Sequence, residues 1–200
     1  MSNRNVFINC PFSDDYRDQF HAIIFTVIRS GFTPRCAREN DDGGEVRIEK
    51  ICRIIRECPY SVHDISKTDL DAASNLPRFN MPFELGLYLG AKKFGGRGHS
   101  SKKSLILDVD QYRYQEFISD IAGQDIASRG GTLKQLITRV ATWLRDAARD
   151  PKVPGGAAIS KEYDQFGGAL PQIVAVKDLQ PEELTFKDYV AIVTEWILFE

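Results

Sequence analysis

Short apolar runs alternate with amphipathic stripes through the first half of the chain, and few architectures accept that order. Val6-Phe7-Ile8-Asn9-Cys10 has the make-up of a short buried strand. Pro11 to Asp15 interrupts it and supplies Ser and Asp side chains suited to start a helix. Tyr16, Phe20, Ile23, Ile24, Val27 and Ile28 then recur at helical spacing, and Gly31 stops the stripe. The cycle repeats with a strand over Phe32 to Ala37 and a turn-rich Asn40 to Gly44. A second stripe of Ile48, Ile51, Cys52, Ile55 and Cys58 ends at Pro59, and Tyr60 to Ile65 makes a third strand. After a polar loop over Ser66 to Phe79, Asn80 is placed as the cap of a helix carrying Phe83, Leu85, Leu87, Tyr88 and Leu89. A glycine-rich basic connection, Gly95 to Lys103, leads to a fourth strand over Ser104 to Asp108.

Such alternation predicts parallel strands joined by right-handed crossovers: an α/β three-layer sandwich with helices on both faces of the sheet. Helices are expected over Tyr112 to Ile126 and Thr132 to Arg149, with a fifth strand at Gln172 to Val176. Pro151, Pro154, Gly155 and Gly156 mark a change of composition. Residues 1–150 are therefore taken as the α/β domain and 151–200 as a helical extension. Two helices are expected there, near Ala158 to Leu170 and Thr185 to Phe199. The last carries Phe186, Tyr189, Val190, Val193, Trp196 and Ile197 on one side, a stripe that needs the sheet's flank or another subunit to cover it.

Composition narrows the function. The 200 residues suit one domain of ordinary size, and 42% hydrophobic content supports a packed core. With 26 Lys and Arg against 28 Asp and Glu, the net charge of -2 speaks against nucleic-acid binding by bulk electrostatics. No apolar run approaches the ~20 residues that span a bilayer. The N-terminus runs straight into a strand with no signal-peptide pattern, so a soluble cytoplasmic protein is expected. Cys10, Cys36, Cys52 and Cys58 show no C-x-x-C spacing and the histidines are scattered, so they are taken as buried thiols and no metal site is expected.

Open parallel sheets bind ligands beyond the carboxyl ends of their strands, where the strand order reverses. In the order 2-1-3-4-5 that crevice lies between strands one and three, beside the loops Cys10 to Asp15 and Asp64 to Asn80. Glu84 falls in the first turns of the following helix, where the helix dipole favours a carboxylate, and it is expected to be ionised and to point into the crevice. Asp64 ends the neighbouring strand and either faces the same space or caps the Asp64-to-Thr68 turn through its side chain. Two carboxylates suit an oxocarbenium-like transition state, as in glycoside cleavage. Asn80 would orient hydroxyls or water. Phe12, Phe79 and Phe83 are candidates to stack on a ring, and Arg78 and Arg35 to meet phosphates. Gly43-Gly44 is either a phosphate cradle or a plain turn. His63 points to the opposite face of its strand from Asp64. No G-x-G-x-x-G or P-loop signature is present.

The pattern Asp64-Ile65-Ser66, a loop, then Asn80-x-x-Phe83-Glu84-Leu85-Gly86 resembles the Toll/interleukin-1 receptor (TIR)-like and nucleoside 2-deoxyribosyltransferase-like superfamily. Val6 to Phe12 resembles its first strand and substrate-side loop, so the likeness spans residues 5–110. It implies a flavodoxin-like fold and cleavage of an N-glycosidic bond in NAD or a related nucleotide or nucleoside. Glu84 would be the catalytic carboxylate, with Asp64 and Asn80 assisting. Asn9, Cys10, Pro11, Phe12, Arg78 and Phe83 would contact substrate. It further implies no metal or separate cofactor, a homo-oligomer, and a role as a bacterial anti-phage effector with a defence-system partner. Asp41 to Glu45 sits where TIR domains carry their assembly and gating loop. Asn80 and Pro82 stand where TIR enzymes typically have Ser or Cys, often with Trp, which brings the motif closer to the deoxyribosyltransferases and leaves NAD against nucleoside open. The rival class is a non-catalytic TIR-like module for nucleotide binding or assembly. That module would tolerate Glu84→Ala but not changes in Asp41 to Arg47 or in the last helix. A phosphoacceptor receiver fits poorly, because Asp14 and Asp15 come too late after the first strand.

Overall fold

Runs of consecutive buried residues mark the strands. In β1 (Asn5–Asn9), β3 (Tyr60–Asp64) and β4 (Lys103–Asp108) the last four residues are all buried, the signature of a parallel sheet covered on both sides. The computed structural model describes residues 3–39, 42–68, 70 and 75–199. With β2 (Thr33–Arg35) and β5 (Ile126–Ser128), the strands form one parallel five-stranded sheet in the order β2-β1-β3-β4-β5. The fold is thus of the expected α/β, flavodoxin-like three-layer class. Its register sets Asn9 beside His63, Asp64 beside Leu107 and Asp108 beside Ser128. Polar residues therefore end three adjacent strands on one edge.

The chain divides into two compact units, crossing between them after Tyr16, Pro34 and Gly131. The first comprises Met1–Tyr16 and Arg35–Gly131. Its helices are α2 (Arg47–Glu57) and α3 (Asn80–Phe94). Ile51, Ile54 and Ile55 of α2 close on Phe7 and Tyr88, with Phe12 and Leu87 packed against them. A second cluster joins Ile65, Leu85, Ile106, Tyr114 and Ile126. Burying each such side chain contributes roughly 1.5–3 kcal/mol.

Two expectations fail in this unit. Tyr112 to Ile126 is not one helix but two short 3-10 turns, Arg113–Glu116 and Ser119–Ile121, followed by β5. Gly123 at φ +100° takes a conformation that L side chains rarely adopt, and it breaks any helix there. The helix N-cap position falls on Phe79, without a side-chain cap bond, so Asn80 is the first helical residue rather than the cap. Pro82 fits this first turn, where its missing N–H has no intrahelical role.

The second unit comprises Arg17–Pro34 and Thr132–Glu200. It holds α1 (Arg17–Arg29), α4 (Leu133–Ala148), α5 (Gly156–Ala175) and α6 (Phe186–Phe199). Thr132 and Gln135 cap α4 reciprocally, and Arg149 in the left-handed region closes it. At the start of α5 a Cβ on Gly156 would stand 2.4 Å from Thr138 Cα, so only glycine allows the close crossing of α4 and α5. The strand expected at Gln172 to Val176 does not form. Its residues through Ala175 complete α5, with Val174 buried on the helix; a short apolar run has no period of its own to tell helix from strand. The stripe on α6 finds its cover within this unit. Phe186 stacks on Phe20, Tyr189 on His21, and Trp196 meets Phe166 edge-on.

Candidate functional site

A cleft of about 610 Å³ opens beside the carboxyl end of β1 in the first unit. Asn9, Cys10, Pro11 and Phe12 form one side, and Asn80, Met81 and Glu84 of α3 face it. Arg38, Arg47, Lys67 and Arg78 bring four cations to the same space, with Asp15 and Leu70 beside them. A concave site with mixed apolar and polar walls and converging charges is what a small anionic ligand needs.

Glu84 is the buried acid of this cleft, with its side chain 7% exposed. It sits five residues into α3, past the first orphan amides, and burial dominates. Loss of solvent pushes its carboxyl up to about 7, and Arg47 opposes only in part, its Nη2 lying 3.9 Å from Oε1. The expectation of a carboxylate held ionised by the helix dipole is therefore corrected: the group is poised near neutrality, and the dipole is outweighed.

Asp64 takes the turn-capping role rather than the place in the crevice. It is fully buried and does not line the cleft. Oδ1 accepts from Ser66 N at 2.8 Å in a turn of its own side chain, and Oδ2 accepts from the Tyr16 hydroxyl. Burial and the adjacent Asp64 charge push the Tyr16 hydroxyl well above its usual value, so it stays a donor. The carboxylate expected to act beside Glu84 is thus committed to holding the loop. Phe83, 56% exposed, does not line the cleft, and neither does Phe79, 57% exposed. Arg35 is tied to Glu39 and Glu57. Gly44 N bonds Asp42 Oδ1 at 2.9 Å, and neither Gly43 nor Gly44 reaches the cleft. Asp41 lies outside the described residues.

The sequence reading missed Arg38, Arg47 and Lys67. Arg38 lies over the Phe12 ring, 4.7 Å from its centroid, and donates to Phe12 O at 3.0 Å. It thereby fixes the one aromatic ring in the described wall. Lys67 pairs with Asp15 and donates to Ser13 Oγ at 3.2 Å, pinning the loop after β3 to the loop after β1. Arg113 holds the same loop from the other side, donating to Thr68 Oγ1 and Ser66 O, both at 2.8 Å.

Cys10 is buried in the cleft wall, and loss of solvent raises its thiol well above the ordinary value, so it is a neutral packing group rather than a nucleophile. Cys36 and Cys58 are also buried and pushed up to about 12, whereas Cys52 is exposed, contrary to the expectation of four buried thiols. His63 is buried on the far face of β3 from Asp64, as expected, with Nε2 unpartnered. Leaving such a group unpaired costs about 1–3 kcal/mol. Among the described residues no group of three His, Cys, Asp or Glu side chains is placed to hold a metal ion. No helix among them is long and apolar enough to cross a membrane.

No protein-family model and no curated protein matches the chain.

Proposed function

We propose that the cleft binds a nucleotide and cleaves its N-glycosidic bond, with NAD or a related nucleotide as substrate and Glu84 as the catalytic carboxylate. The observation that carries this reading is Glu84 itself: a buried acid in the wall of a cleft that four cations share. The cations suit phosphates, and the Phe12 face suits a base or nicotinamide ring. As the C1′–N bond breaks, the bonding pair leaves with the base and positive charge develops on the ribosyl ring. An ionised Glu84 in a desolvated wall stabilises that charge more than it would in water. Water then adds at C1′; its proton goes to solvent where neutral nicotinamide leaves NAD, and to the departing base where the base leaves as an anion. Asn80, which also lines the cleft, is placed to orient that water or a sugar hydroxyl. Self-association and a partner in anti-phage defence belong to the same proposal, through the TIR-like and deoxyribosyltransferase-like resemblance.

One observation favours a second reading, a non-catalytic nucleotide-binding or assembly module. Asp64 is withdrawn, so of the two carboxylates expected to act together only Glu84 lines the cleft, and Asp15, which also lines it, is paired with Lys67. The deciding experiment incubates wild type and Glu84→Gln at high concentration with NAD and a panel of nucleotides and nucleosides, following products chromatographically. Release of nicotinamide or a free base by wild type alone supports the cleavage reading. Binding without turnover, unchanged in Glu84→Gln, overturns it in favour of the module.

A further inference from the structure

Asn9 ends β1 and lines the cleft with 3% of its surface exposed. Its side-chain nitrogen donates to Met81 O at 2.9 Å and lies 2.9 Å from His63 Nδ1. A backbone carbonyl only accepts, so the nitrogen of the amide, not its oxygen, faces Met81. An amide nitrogen only donates, so His63 Nδ1 accepts and the ring proton sits on Nε2. Both amide hydrogens are therefore used. The carbonyl Oδ1 has no partner among the described residues.

We propose that Asn9 is a specificity-determining residue whose Oδ1 accepts a hydrogen bond from the bound nucleotide, and that His63 is the positioning residue that fixes which way the amide faces. The inference rests on the nucleotide reading above and names what that ligand must carry, a neutral donor. A sugar hydroxyl or an exocyclic amino group of the base supplies one. A ligand lacking the donor leaves a desolvated oxygen unpaired, the situation in which polar sites discriminate most sharply. His63 is suited to its part. It meets the Phe7 and Tyr88 rings edge-on at 5.7 and 5.3 Å, and burial holds it neutral, with its pKa pulled down to about 3. Its Nδ1 therefore remains an acceptor, and the amide has no reason to turn over. Without that acceptor one amide hydrogen is unmatched, and Met81 O alone orients the group.

The test uses the full chain as wild type, Asn9→Leu and His63→Phe. Calorimetric affinity and the KM and kcat of base release are measured for a ribonucleotide and its 2′-deoxy, 3′-deoxy and base-deaminated analogues. Wild type should lose about tenfold or more in affinity against the one analogue that lacks the recognised donor, which tells hydroxyl from amine. Asn9→Leu should bind that pair within about twofold of each other, and His63→Phe should fall between, with the change in KM rather than kcat. Asn9→Ala, which also removes the acceptor, should repeat the loss if Asn9→Leu does not fold. Folded Asn9 variants that keep the wild-type discrimination overturn the role of Asn9, and a His63→Phe that keeps it overturns the role of His63. Equal binding of all analogues by wild type overturns the inference while cleavage stands. A wild type that neither binds nor cleaves any of them overturns both.

Discussion

Arg47 Nη2 stands 3.9 Å from Glu84 Oε1, a loose pair that only partly offsets what burial does to the carboxyl. Burial raises the Glu84 carboxyl to about 7 and Arg47 lowers it, so the ionised fraction changes across the physiological range. If ionised Glu84 stabilises the developing charge, kcat/KM for base release rises with pH through about 7 and levels above it. Arg47→Met removes the opposing charge and moves that rising limb to higher pH. A profile from pH 5 to 9 on both proteins checks it. A limb that falls through the same range would make Glu84 a proton donor instead.

The same group leaves a mark on stability. In the unfolded chain Glu84 loses its proton near the ordinary carboxyl value, while in the fold it keeps it up to about 7. The folded state binds the extra proton, so this group's contribution falls as pH rises between those values and is flat beyond. Glu84→Gln abolishes the decline. Relative to wild type, the variant should gain about 1–3 kcal/mol on going from pH 5 to pH 8, read by urea unfolding at both.

Asp108 and Arg113 join the end of β4 to the loop after β3. Asp108 is fully buried; Oδ1 accepts from Val109 N at 2.7 Å and from Arg113 Nε at 3.0 Å, while Oδ2 has no partner among the described residues. Arg113→Met strands that carboxylate and frees Ser66 and Thr68, so a loss of about 3–5 kcal/mol is expected. Adding Asp108→Asn to it should return a good part of the loss, because the uncompensated charge is gone. A double-mutant cycle with hydrogen exchange over residues 65–68 checks both points.

The parts legible beforehand are those whose signal is local. β1 and β4 carry compact apolar runs, Val6-Phe7-Ile8 and Leu105-Ile106-Leu107, β3 follows directly on a Pro59 break, and α2 and α4 carry clear stripes, so each announces itself within a few residues. β5 has three residues and one fully buried side chain, Ile126, too little to stand out against the apolar end of α5. Glu84 was legible because its motif is contiguous. Its surroundings were not: Arg38, Arg47 and Lys67 come from separate segments that only the sheet order brings together. The turn made by Asp64 was legible from its place before Ser66, but its second partner was not, because that hydroxyl belongs to Tyr16, 48 residues earlier. Lys102 looks like one more charge in a glycine-rich connection. It is in fact 2% exposed, its ammonium donating to Ile55 O and Cys58 O at 2.6 and 2.5 Å, where it caps the end of α2.

His21 carries the last prediction. Its ring stacks on Tyr189 with centroids 3.9 Å apart and planes at 13°, between α1 and α6. Burial pulls its pKa down to about 4, with Asp18 opposing. In the unfolded chain the imidazole takes a proton below its ordinary value of 6.5, while in the fold it stays neutral until about 4. The unfolded state binds more protons in that window, so stability falls as the solution is acidified through it. His21→Phe keeps the stacked ring and removes the titration. Between pH 7 and pH 5 wild type should lose roughly 2 kcal/mol more than His21→Phe, by urea unfolding at the two values. Equal losses in the two proteins would place the acid sensitivity elsewhere.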